Sequence, residues 1–384
     1  MKILIISARY LPHRGGLESV VSHLSDELQN QGHTIRIITN RYPRTLPAPE
    51  IIDGISVTRL HFLQPHWIYL RRLRLDLFLA GLFYRFWTDY SLKRIILEYQ
   101  PDVINSHYLS EPAEFVERFL SRDKKHIPWV ISLHGGDVDG EPLIGESQMS
   151  RFRRISRFAD RLTACSTFLA GQAVALEPSI AAKIQVIHNG VDLDLFSKAS
   201  DHEVSVPYIF ALGQLVQHKG FDLLIDAFAS VSKKYREVNL LIAGGGEFRP
   251  ELERHIKENG LEHRVTLLGK VDSTKVAGLM AGGLFIAMPS RREPFGMVAL
   301  EGMASGKCVL ATPVGGIPEF LPSPPNRMVP LDKSLWVEAL DDWLNKASLG
   351  QLDASANRES AKHHSWQLVT EQYLQVYKQS GAPL

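Results

Sequence analysis

Short apolar runs alternate along the chain with longer segments in which apolar residues recur on one side. The first of these runs, at 2–7, lacks strict polar alternation, which predicts a strand buried on both faces of a parallel sheet. We predict such strands at 2–7, 34–39, 55–60, 103–106, 129–133, 160–165, 184–188, 208–212, 240–243, 265–268, 284–288 and 307–311. The longer segments predict amphipathic helices, as at 17–31, where Val21, Leu24 and Leu28 share one face. This alternation is typical of an α/β fold.

The pattern predicts two domains. A chain of 384 residues is long enough for roughly two ordinary cores. The strand–helix alternation starts afresh at Tyr208, and the polar, irregular stretch 197–206 just before it is the predicted linker. We therefore predict one domain over residues 1–200 and a second over residues 205–364.

Composition disfavours several classes of function. The 43 Lys and Arg balance the 42 Asp and Glu at a net charge of +1, which gives no attraction to nucleic acid. The two cysteines, Cys165 and Cys308, have neither a disulfide framework nor the spacing of a zinc site. No run reaches the ~18 apolar residues of a membrane span, and the apolar start is too short for a signal peptide. A cytoplasmic protein without a metal or other cofactor is predicted.

Glycines stand where predicted strands meet predicted helices. Gly15 and Gly16 follow the first strand, and Gly213 follows the strand at 208–212. Because glycine has no Cβ, backbone N–H groups at such a turn can approach a phosphate closely. The Gly-x-Gly-x-x-Gly fingerprint is absent, so a dinucleotide-dependent dehydrogenase is disfavoured. Tight turns without a ligand are the alternative.

Two carboxylates lie near each other between residues 288 and 319. Glu293 falls in the loop after the strand at 284–288, and Glu301 on the second turn of the helix predicted at 297–305. Open α/β sheets bind ligands at such strand–loop–helix junctions, where helix N-termini present N–H groups. The alternative is a surface helix with two solvated acids.

Two histidines end predicted strands in the first domain. His107 follows the strand at 103–106, and His134 opens the sequence His-Gly-Gly-Asp that ends at Asp137. Carboxyl ends of parallel strands form the functional edge of such a sheet, which favours a site role for His134 and Asp137. Residues 137–139 also spell Asp-x-Asp, a metal–nucleotide signature of other folds, but three residues are a weak signal and we interpret Asp139 as loop.

The stretch 288–319 resembles the Glu-x(7)-Glu signature of family-four retaining glycosyltransferases. The intervening Pro-Phe-Gly, the later Ala-Ser-Gly and the Gly-Gly-x-Pro-Glu that ends at Glu319 strengthen the resemblance. It implies the GT-B fold, in which two Rossmann-like parallel-sheet domains face each other across a cleft. It also implies that residues 366–384, after Ser365-Trp366, form a helix that returns to the first domain.

The same resemblance implies an activity and assigns the residues. The expected reaction is retaining, metal-independent transfer of a sugar from a nucleotide-diphosphate sugar to a glycan, lipid-linked or small-molecule acceptor. The predicted catalytic residues are Glu293, His134, Asp137 and Lys219. The predicted donor-binding residues are Gly16, Gly213, Gln214, Lys219, Phe295, Gly296, Met297 and Glu301. Glu301 is expected at the ribose, Glu293 at the transferred sugar and Lys219 at the diphosphate.

The chain departs from the family at one position of the predicted diphosphate clamp. The family usually carries an Arg where this chain has Gln214, while the Lys five residues later is present as Lys219. Gln brings neither charge nor a guanidinium fork. Arg291 and Arg292, just before Glu293, are candidates to supply the missing cation, and solvated loop residues are the alternative interpretation.

Residues 62–97 interleave aromatic and cationic side chains. Trp67, Tyr69, Phe83, Phe86 and Trp87 are among the aromatic residues of a largely helical segment that also contains several arginines. This pattern favours peripheral contact with the inner face of a membrane. The alternative is an ordinary amphipathic helix packed on the sheet. Two other functions stay open: a GT-B epimerase acting on the nucleotide sugar, and a non-catalytic glycan-binding subunit.

Overall fold

A computed structural model describes residues 1–13, 15–63, 74–122, 126–138, 146–199 and 206–383. The chain divides into two compact units. Unit 1 comprises Met1–His188 with Trp366–Leu384, and unit 2 comprises Asn189–Ser365. Each unit is built around its own largely parallel sheet, which confirms the predicted two-domain α/β fold class.

Unit 1 contains an eight-stranded sheet. Its strands are β1 Lys2–Ser7, β2 Thr34–Asn40, β3 Pro49–Ile52, β4 Ile55–Leu60, β5 Val103–His107, β6 Trp129–Leu133, β7 Arg161–Ala164 and β8 Ile184–Val186. Their order is β3-β4-β2-β1-β5-β6-β7-β8, and only the edge strand β3 runs antiparallel. Its helices are α1 Gly16–Asn30, α2 Leu75–Tyr99, α3 Glu111–Leu120, α4 Glu146–Phe158 and α5 Thr167–Leu176, with a 3-10 turn at Pro178–Ile180.

Unit 2 contains a six-stranded, entirely parallel sheet. Its strands are β9 Tyr208–Leu212, β10 Asn239–Ala243, β11 Val265–Gly269, β12 Ile286–Met288, β13 Val309–Ala311 and β14 Arg327–Met328, in the order β11-β10-β9-β12-β13-β14. Its helices are α6 Leu193–Ser197, α7 Phe221–Ser232, α8 Arg249–Glu258, α9 Ser273–Gly282, α10 Met297–Ala304, α11 Ile317–Phe320, α12 Lys333–Ser348 and α13 Ser355–Lys362, with a 3-10 turn at Gln217–Lys219.

The core of each unit explains why strands such as β1 are largely apolar. Helices cover both faces of a parallel sheet, so successive side chains of a central strand are all removed from water. In β1, Ile3, Leu4 and Ile5 are fully buried. In unit 2, α7 packs its apolar side on the sheet through residues such as Leu224 and Phe228.

The last helix, α14 Trp366–Gln379, belongs to the core of unit 1. Val369, Tyr373 and Val376 are buried there against α1 and the sheet. The hydroxyl of Tyr377 donates to Oδ1 of Asn105 at 2.8 Å, which satisfies two polar groups inside the core. Helix α14 therefore fixes the C-terminal segment to strand β5, which ends at His107.

The division between the units comes earlier in the chain than the sequence predicts. Residues 189–199, predicted to belong to the first domain, lie in unit 2. Val191 pairs with Ser365 in an isolated bridge, and its N–H donates to the carbonyl of His364 at 2.9 Å. The buried Phe196 also ties α6 to unit 2. The predicted linker at 197–206 is described only in part, because residues 200–205 lie outside the described residues.

Candidate active site

The site in unit 2 lies where the strand order changes direction. The chain passes from β9 to β10 on one side, whereas β12 pairs with β9 on the other side. The two loops that leave the carboxyl ends of β9 and β12 therefore meet at a topological switch point, where open α/β sheets bind ligands. These loops are residues 213–220 and 289–296, which contain most of the predicted donor-binding residues.

The two loops approach each other closely. Gly220 has φ +71, and a Cβ there would lie 2.0 Å from the carbonyl oxygen of Pro289. Only glycine fits such an approach without moving a backbone. The N–H of Arg291 donates to the carbonyl of His218 at 2.7 Å. These contacts hold the end of the loop 213–220 against the beginning of the loop 289–296.

Lys219 and Glu293 form an ion pair between the loops. Nζ of Lys219 lies 2.5 Å from Oε2 of Glu293, and their side chains are only 18% and 10% exposed. The hydroxyl of Ser290 donates to the same carboxylate oxygen at 3.4 Å. The structure thus brings together one predicted catalytic carboxylate and the predicted diphosphate cation.

The backbone of Glu293 is fixed by the turn at Gly315 and Gly316. The N–H of Gly316 donates to the carbonyl oxygen of Glu293 at 3.2 Å. Gly315 has φ +59, and a Cβ there would lie 1.6 Å from that same oxygen. A side chain at residue 315 is therefore excluded both by the left-handed backbone and by the lack of space.

Glu301 lies on the helix that follows the Glu293 loop. Helix α10 begins at Met297, directly after Gly296, and Glu301 is partly buried one turn further on. The first N–H groups of a helix have no partner within it and suit an anionic ligand. Phe295 precedes this turn and stacks on Phe320 with ring centroids 4.6 Å apart. Phe295 is buried, so this stacking supports the loop, and its contact with the donor stays a prediction.

Arg291 and Arg292 were the candidates to replace the family Arg that is absent at Gln214. Of the two, Arg291 is already bound to other groups. The guanidinium of Arg291 forms a bidentate pair with Asp222, with N–O distances of 2.8 and 2.7 Å. It also donates to the carbonyl of Gln217 at 2.6 Å. Burial alone would raise the pKa of Asp222, but the hydrogen bonds and charge of Arg291 outweigh it and hold that pKa below its usual value. Gln214 is exposed on the facing loop.

In unit 1, Asp137 organises the loop that follows β6. Its Oδ1 accepts from the N–H groups of His134 and Gly135 at 3.2 and 2.9 Å, and its Oδ2 accepts from the N–H of Leu109 at 3.2 Å. Burial raises the pKa of Asp137, and these backbone hydrogen bonds oppose the rise. With both oxygens bonded to the backbone, the carboxylate shapes the loop that presents His134.

His134 pairs with His107 at the same edge of the sheet. Nε2 of His134 lies 3.0 Å from Nδ1 of His107, and the two rings are stacked with centroids 5.2 Å apart. Burial lowers the pKa of His134 to about 4, and the pKa of the fully buried His107 is also well below its usual value. Both imidazoles are therefore neutral at physiological pH.

Gly16, also predicted at the donor, is the exposed first residue of α1 in unit 1, and a Cβ there would meet no atom within 4 Å. Among the described residues, no group of three or more His, Cys, Asp or Glu side chains is arranged to hold a metal ion. Asp139, interpreted as loop, lies outside the described residues.

Helix α2 exposes an apolar face. The side chains of Phe83, Phe86 and Trp87 are 58%, 68% and 48% exposed. Leu79 and Tyr90 continue this face at helical spacing and are more than half exposed. The first part of the segment predicted to contact a membrane, 64–73 with Trp67 and Tyr69, lies outside the described residues. No helix within the described ranges combines the length and the apolar character needed to cross a bilayer.

Some residues that shape the site were not predicted. Asp222 and Ser290 carry no motif, because an Asp in the first turn of a helix is common and a single Ser is uninformative. Tyr373 stacks on His107 with ring centroids 6.1 Å apart. The two residues are 266 positions apart along the chain (373 − 107). Only the fold brings such residues together.

Comparisons with known proteins identify the family of this chain. A model of the glycosyl transferases group 1 matches residues 194–359, and a model of glycosyltransferase family 4 matches residues 14–195. An uncharacterized glycosyltransferase of Methanocaldococcus jannaschii is 29% identical over 99% of this chain and 98% of its own length. A phosphatidylinositol N-acetylglucosaminyltransferase subunit of Saccharomyces cerevisiae is 26% identical over 96% of this chain and 80% of its own length.

The fold is also similar to that of a solved structure. The structure of Anabaena HepE in complex with UDP and glucose superposes with a TM-score of 0.77 at 18% identity, over 98% of this chain and 99% of that one. At this level of identity the likeness concerns the fold alone.

Proposed function

Because this chain belongs to the glycosyl transferases group 1 and is a glycosyltransferase, we propose that it transfers a sugar from a nucleotide-diphosphate donor with retention at the anomeric carbon. The observation that carries the proposal is the Lys219–Glu293 pair at the switch point of unit 2, with Glu301 on the next helix. A cation, a carboxylate and a helix N-terminus there match the chemistry of a diphosphate attached to two hydroxylated rings.

The donor residues have distinct proposed roles. The Glu301 carboxylate accepts hydrogen bonds from the ribose hydroxyls, and Glu293 accepts from a hydroxyl of the transferred sugar. Lys219 and the N–H groups at the start of α10 bind the diphosphate. When the donor binds, the Lys219 ammonium is shared between Glu293 and a phosphate oxygen, so its charge is already positioned at the leaving group.

The proposed reaction proceeds on one face of the sugar. The bond from the anomeric carbon to the phosphate oxygen breaks, and the acceptor oxygen bonds to that carbon on the same face. The acceptor proton passes to the departing phosphate oxygen. Negative charge that develops on the diphosphate is stabilised by Lys219 and the helix N-terminus. No side chain is assigned as a nucleophile.

A lipid-bound acceptor at a membrane surface fits unit 1 best. The exposed face of α2 carries Leu79, Phe83, Phe86, Trp87 and Tyr90, and a monomeric soluble protein seldom exposes such a contiguous apolar surface. Aromatic side chains on a helix favour the interface between head groups and acyl chains. A relative named for phosphatidylinositol supports this class of acceptor.

A transfer assay with defined donors tests the proposal. Purified protein is incubated with UDP-, GDP- and ADP-sugars and with vesicles that contain phosphatidylinositol or a lipid-linked sugar. We expect a glycosylated lipid with the same anomeric configuration as the donor, measured by the H1–H2 coupling in its NMR spectrum. An inverted anomer would refute retention.

The same assay separates the alternatives. An epimerase would change the nucleotide sugar without any acceptor, so donor incubated alone and analysed by chromatography distinguishes it. A non-catalytic subunit would bind donor without turnover. We expect release of nucleoside diphosphate that depends on the acceptor.

A further inference from the structure

The buried pair formed by His107 and His134 has only one consistent arrangement of protons. Nδ1 of His107 and Nε2 of His134 are 3.0 Å apart, so one nitrogen donates and the other accepts. A neutral imidazole carries its proton on one nitrogen only, and the hydrogen bond of one nitrogen determines the state of the other. The choice of donor therefore fixes both rings.

The surroundings of His107 decide which nitrogen donates. Its Nε2 is buried and has no hydrogen-bond partner among the described residues. The residue as a whole is 1% exposed, and the ring of Tyr373 lies beside it with centroids 6.1 Å apart. If Nε2 carried the proton, a buried N–H group would be left without an acceptor, which is rarer in proteins than an unpaired acceptor. The proton of His107 is therefore on Nδ1, and it is donated to His134.

We propose that His107 is a positioning residue that locks His134 in the tautomer with its proton on Nδ1. Since Nε2 of His134 accepts from His107, Nδ1 of His134 becomes a fixed hydrogen-bond donor. The loop that carries His134 is held by Asp137, so the donor has a defined place as well as a defined proton. Resting on the proposed function, this N–H is available to an oxygen of a bound substrate that accepts a hydrogen bond.

This arrangement has a consequence for specificity. A neutral N–H donor binds a hydroxyl oxygen, but it provides no charge for a carboxylate or phosphate on the sugar. His134 would therefore favour a substrate that offers a neutral hydroxyl at the contacted position. A substrate that lacks this hydroxyl leaves the N–H unpaired, which costs binding in the transition state.

Nitrogen NMR of the full-length protein tests the tautomer directly. With 15N-labelled histidine, two-bond correlations to the ring protons distinguish a protonated Nδ1 from a protonated Nε2. The His134 signals are assigned by their loss in His134→Asn. We expect the Nδ1–H tautomer at His134 and at His107 in the wild type at neutral pH. The opposite tautomer at either ring, or a charged ring, would overturn the proposal.

Two variants of His107 separate positioning from packing. His107→Phe keeps an aromatic ring on Tyr373 but has no donor, whereas His107→Asn places an amide N–H near the position of Nδ1. We expect a mixture of tautomers at His134 in the Phe variant and a single one in the Asn variant. With the cognate donor, kcat should fall ~10-fold in the Phe variant and recover to within ~3-fold in the Asn variant.

Binding of nucleoside diphosphate provides the control, because the groups proposed to bind the diphosphate, Lys219 and the N–H groups at the start of α10, lie in unit 2. Its affinity should be the same in the wild type and both variants. Equal kcat in the Phe variant and the wild type would contradict the positioning role. If the wild type has the expected tautomer but transfers no sugar, the proposed function fails while the arrangement of the histidines stands.

Discussion

Lys219 and Glu293 illustrate how much a single pair of residues determines at the site. Two opposite charges 2.5 Å apart in a largely buried setting interact more strongly than an exposed pair, but each also gives up solvation. Removal of one partner leaves the other buried without a counter-charge. A donor diphosphate with a hydroxylated sugar offers both residues new partners, so binding need not leave either one uncompensated.

The two glutamates should respond differently to truncation. Glu301→Ala removes the proposed ribose contact and should weaken binding of the nucleotide sugar, whereas Glu293→Ala should lower turnover more than affinity. Loss of a hydrogen-bonded charged group of this kind costs about 1–3 kcal/mol. Steady-state kinetics and calorimetry measure both effects. Glu258→Ala, in the last turn of α8, is a control on the same unit.

Near-wild-type transfer by both Glu293→Ala and Glu301→Ala would show that the site assignment is wrong.

The depressed pKa of His134 predicts a dependence of stability on pH. Its pKa is about 4 in the folded protein and about 6.5 in an unfolded chain, so the unfolded state binds more protons in this window. The free energy of unfolding of unit 1 should therefore fall as the pH drops from about 6.5 towards 4. In His134→Asn the fall should be smaller, by on the order of 2 kcal/mol. Thermal unfolding at several pH values measures it, and an identical pH dependence in the variant would contradict the burial of a neutral ring.

At the scale of single residues, local motif spacing predicted Glu293, Glu301 and Lys219. The structure brings the loops of Glu293 and Lys219 to one switch point and places Glu301 on the helix that follows, while their roles stay predictions. The bond between Arg291 and Asp222 could not be predicted, because their separation in sequence gives no indication of contact. That bond removes Arg291 from the set of simple candidates for a second diphosphate cation.

Among the elements, the central strands were the most predictable. The predictions at 2–7, 55–60, 129–133 and 208–212 have the bounds of β1, β4, β6 and β9. In β1, β6 and β9 nearly every side chain is buried, so these strands are largely apolar and leave a clear pattern in the sequence, whereas β4 alternates buried and more exposed positions. The edge strand β3 Pro49–Ile52 was not predicted, because it is short, half-exposed and begins with proline.

Helix α2 shows where a sequence pattern left two interpretations open. Its second half packs inward through Leu92, Ile95 and Ile96, as an ordinary helix on a sheet does. Its first half exposes Phe83, Phe86 and Trp87. The second half therefore fits the interpretation of a helix packed on the sheet, and membrane contact by the exposed first half stays a prediction. Arg94 and Glu98 form an exposed pair, so apolar burial is expected to contribute more to membrane binding than the charges of the helix.

Vesicle binding should depend on this exposed face. Replacement of Phe83, Phe86 and Trp87 together by Ser removes three aromatic side chains that would enter the interface, each worth about 1.5 kcal/mol or more when buried. Co-sedimentation with anionic vesicles should therefore fall at least ~100-fold in the variant. The fold should be unaffected, because the three side chains are exposed. We also expect the wild-type protein to bind less at high salt and to neutral vesicles.

Ile51→Ser with Leu349→Ser is the matched control, because these apolar side chains are 77% and 60% exposed but lie on other elements. No co-sedimentation of the wild type at low salt, or equal loss in the control, would exclude α2 as a membrane contact and favour an acceptor in solution.

In the whole molecule, each of the two α/β units has its own proposed role. Unit 2 contains the donor residues on the edge of its six-stranded sheet, and unit 1 contains the paired histidines and the aromatic helix. The sequence predicted both sheets, but it placed the end of the first domain at residue 200, about ten residues after His188, where the first part of unit 1 ends. The turn after β8 gives no sign in the sequence that Val191 pairs with Ser365.

Transfer should not require a divalent metal. Lys219 supplies a cation at the proposed diphosphate position, and no described cluster has the ligands for a metal. The rate with the cognate donor should be the same in EDTA and in Mg²⁺. Activity that EDTA abolishes and Mg²⁺ or Mn²⁺ restores would contradict this prediction.

The most direct test of the donor site is calorimetry with nucleoside diphosphates, starting with UDP and then GDP and ADP. With the one that binds, Lys219→Ala should lose about 2–3 kcal/mol of binding free energy, because the diphosphate loses its main cation. Gln214→Arg should bind more tightly, since it restores a charged fork. Lys257→Ala, an exposed cation in the last turn of α8, should bind as the wild type does. Unchanged affinity in Lys219→Ala would contradict the placement of the diphosphate at the switch point of unit 2.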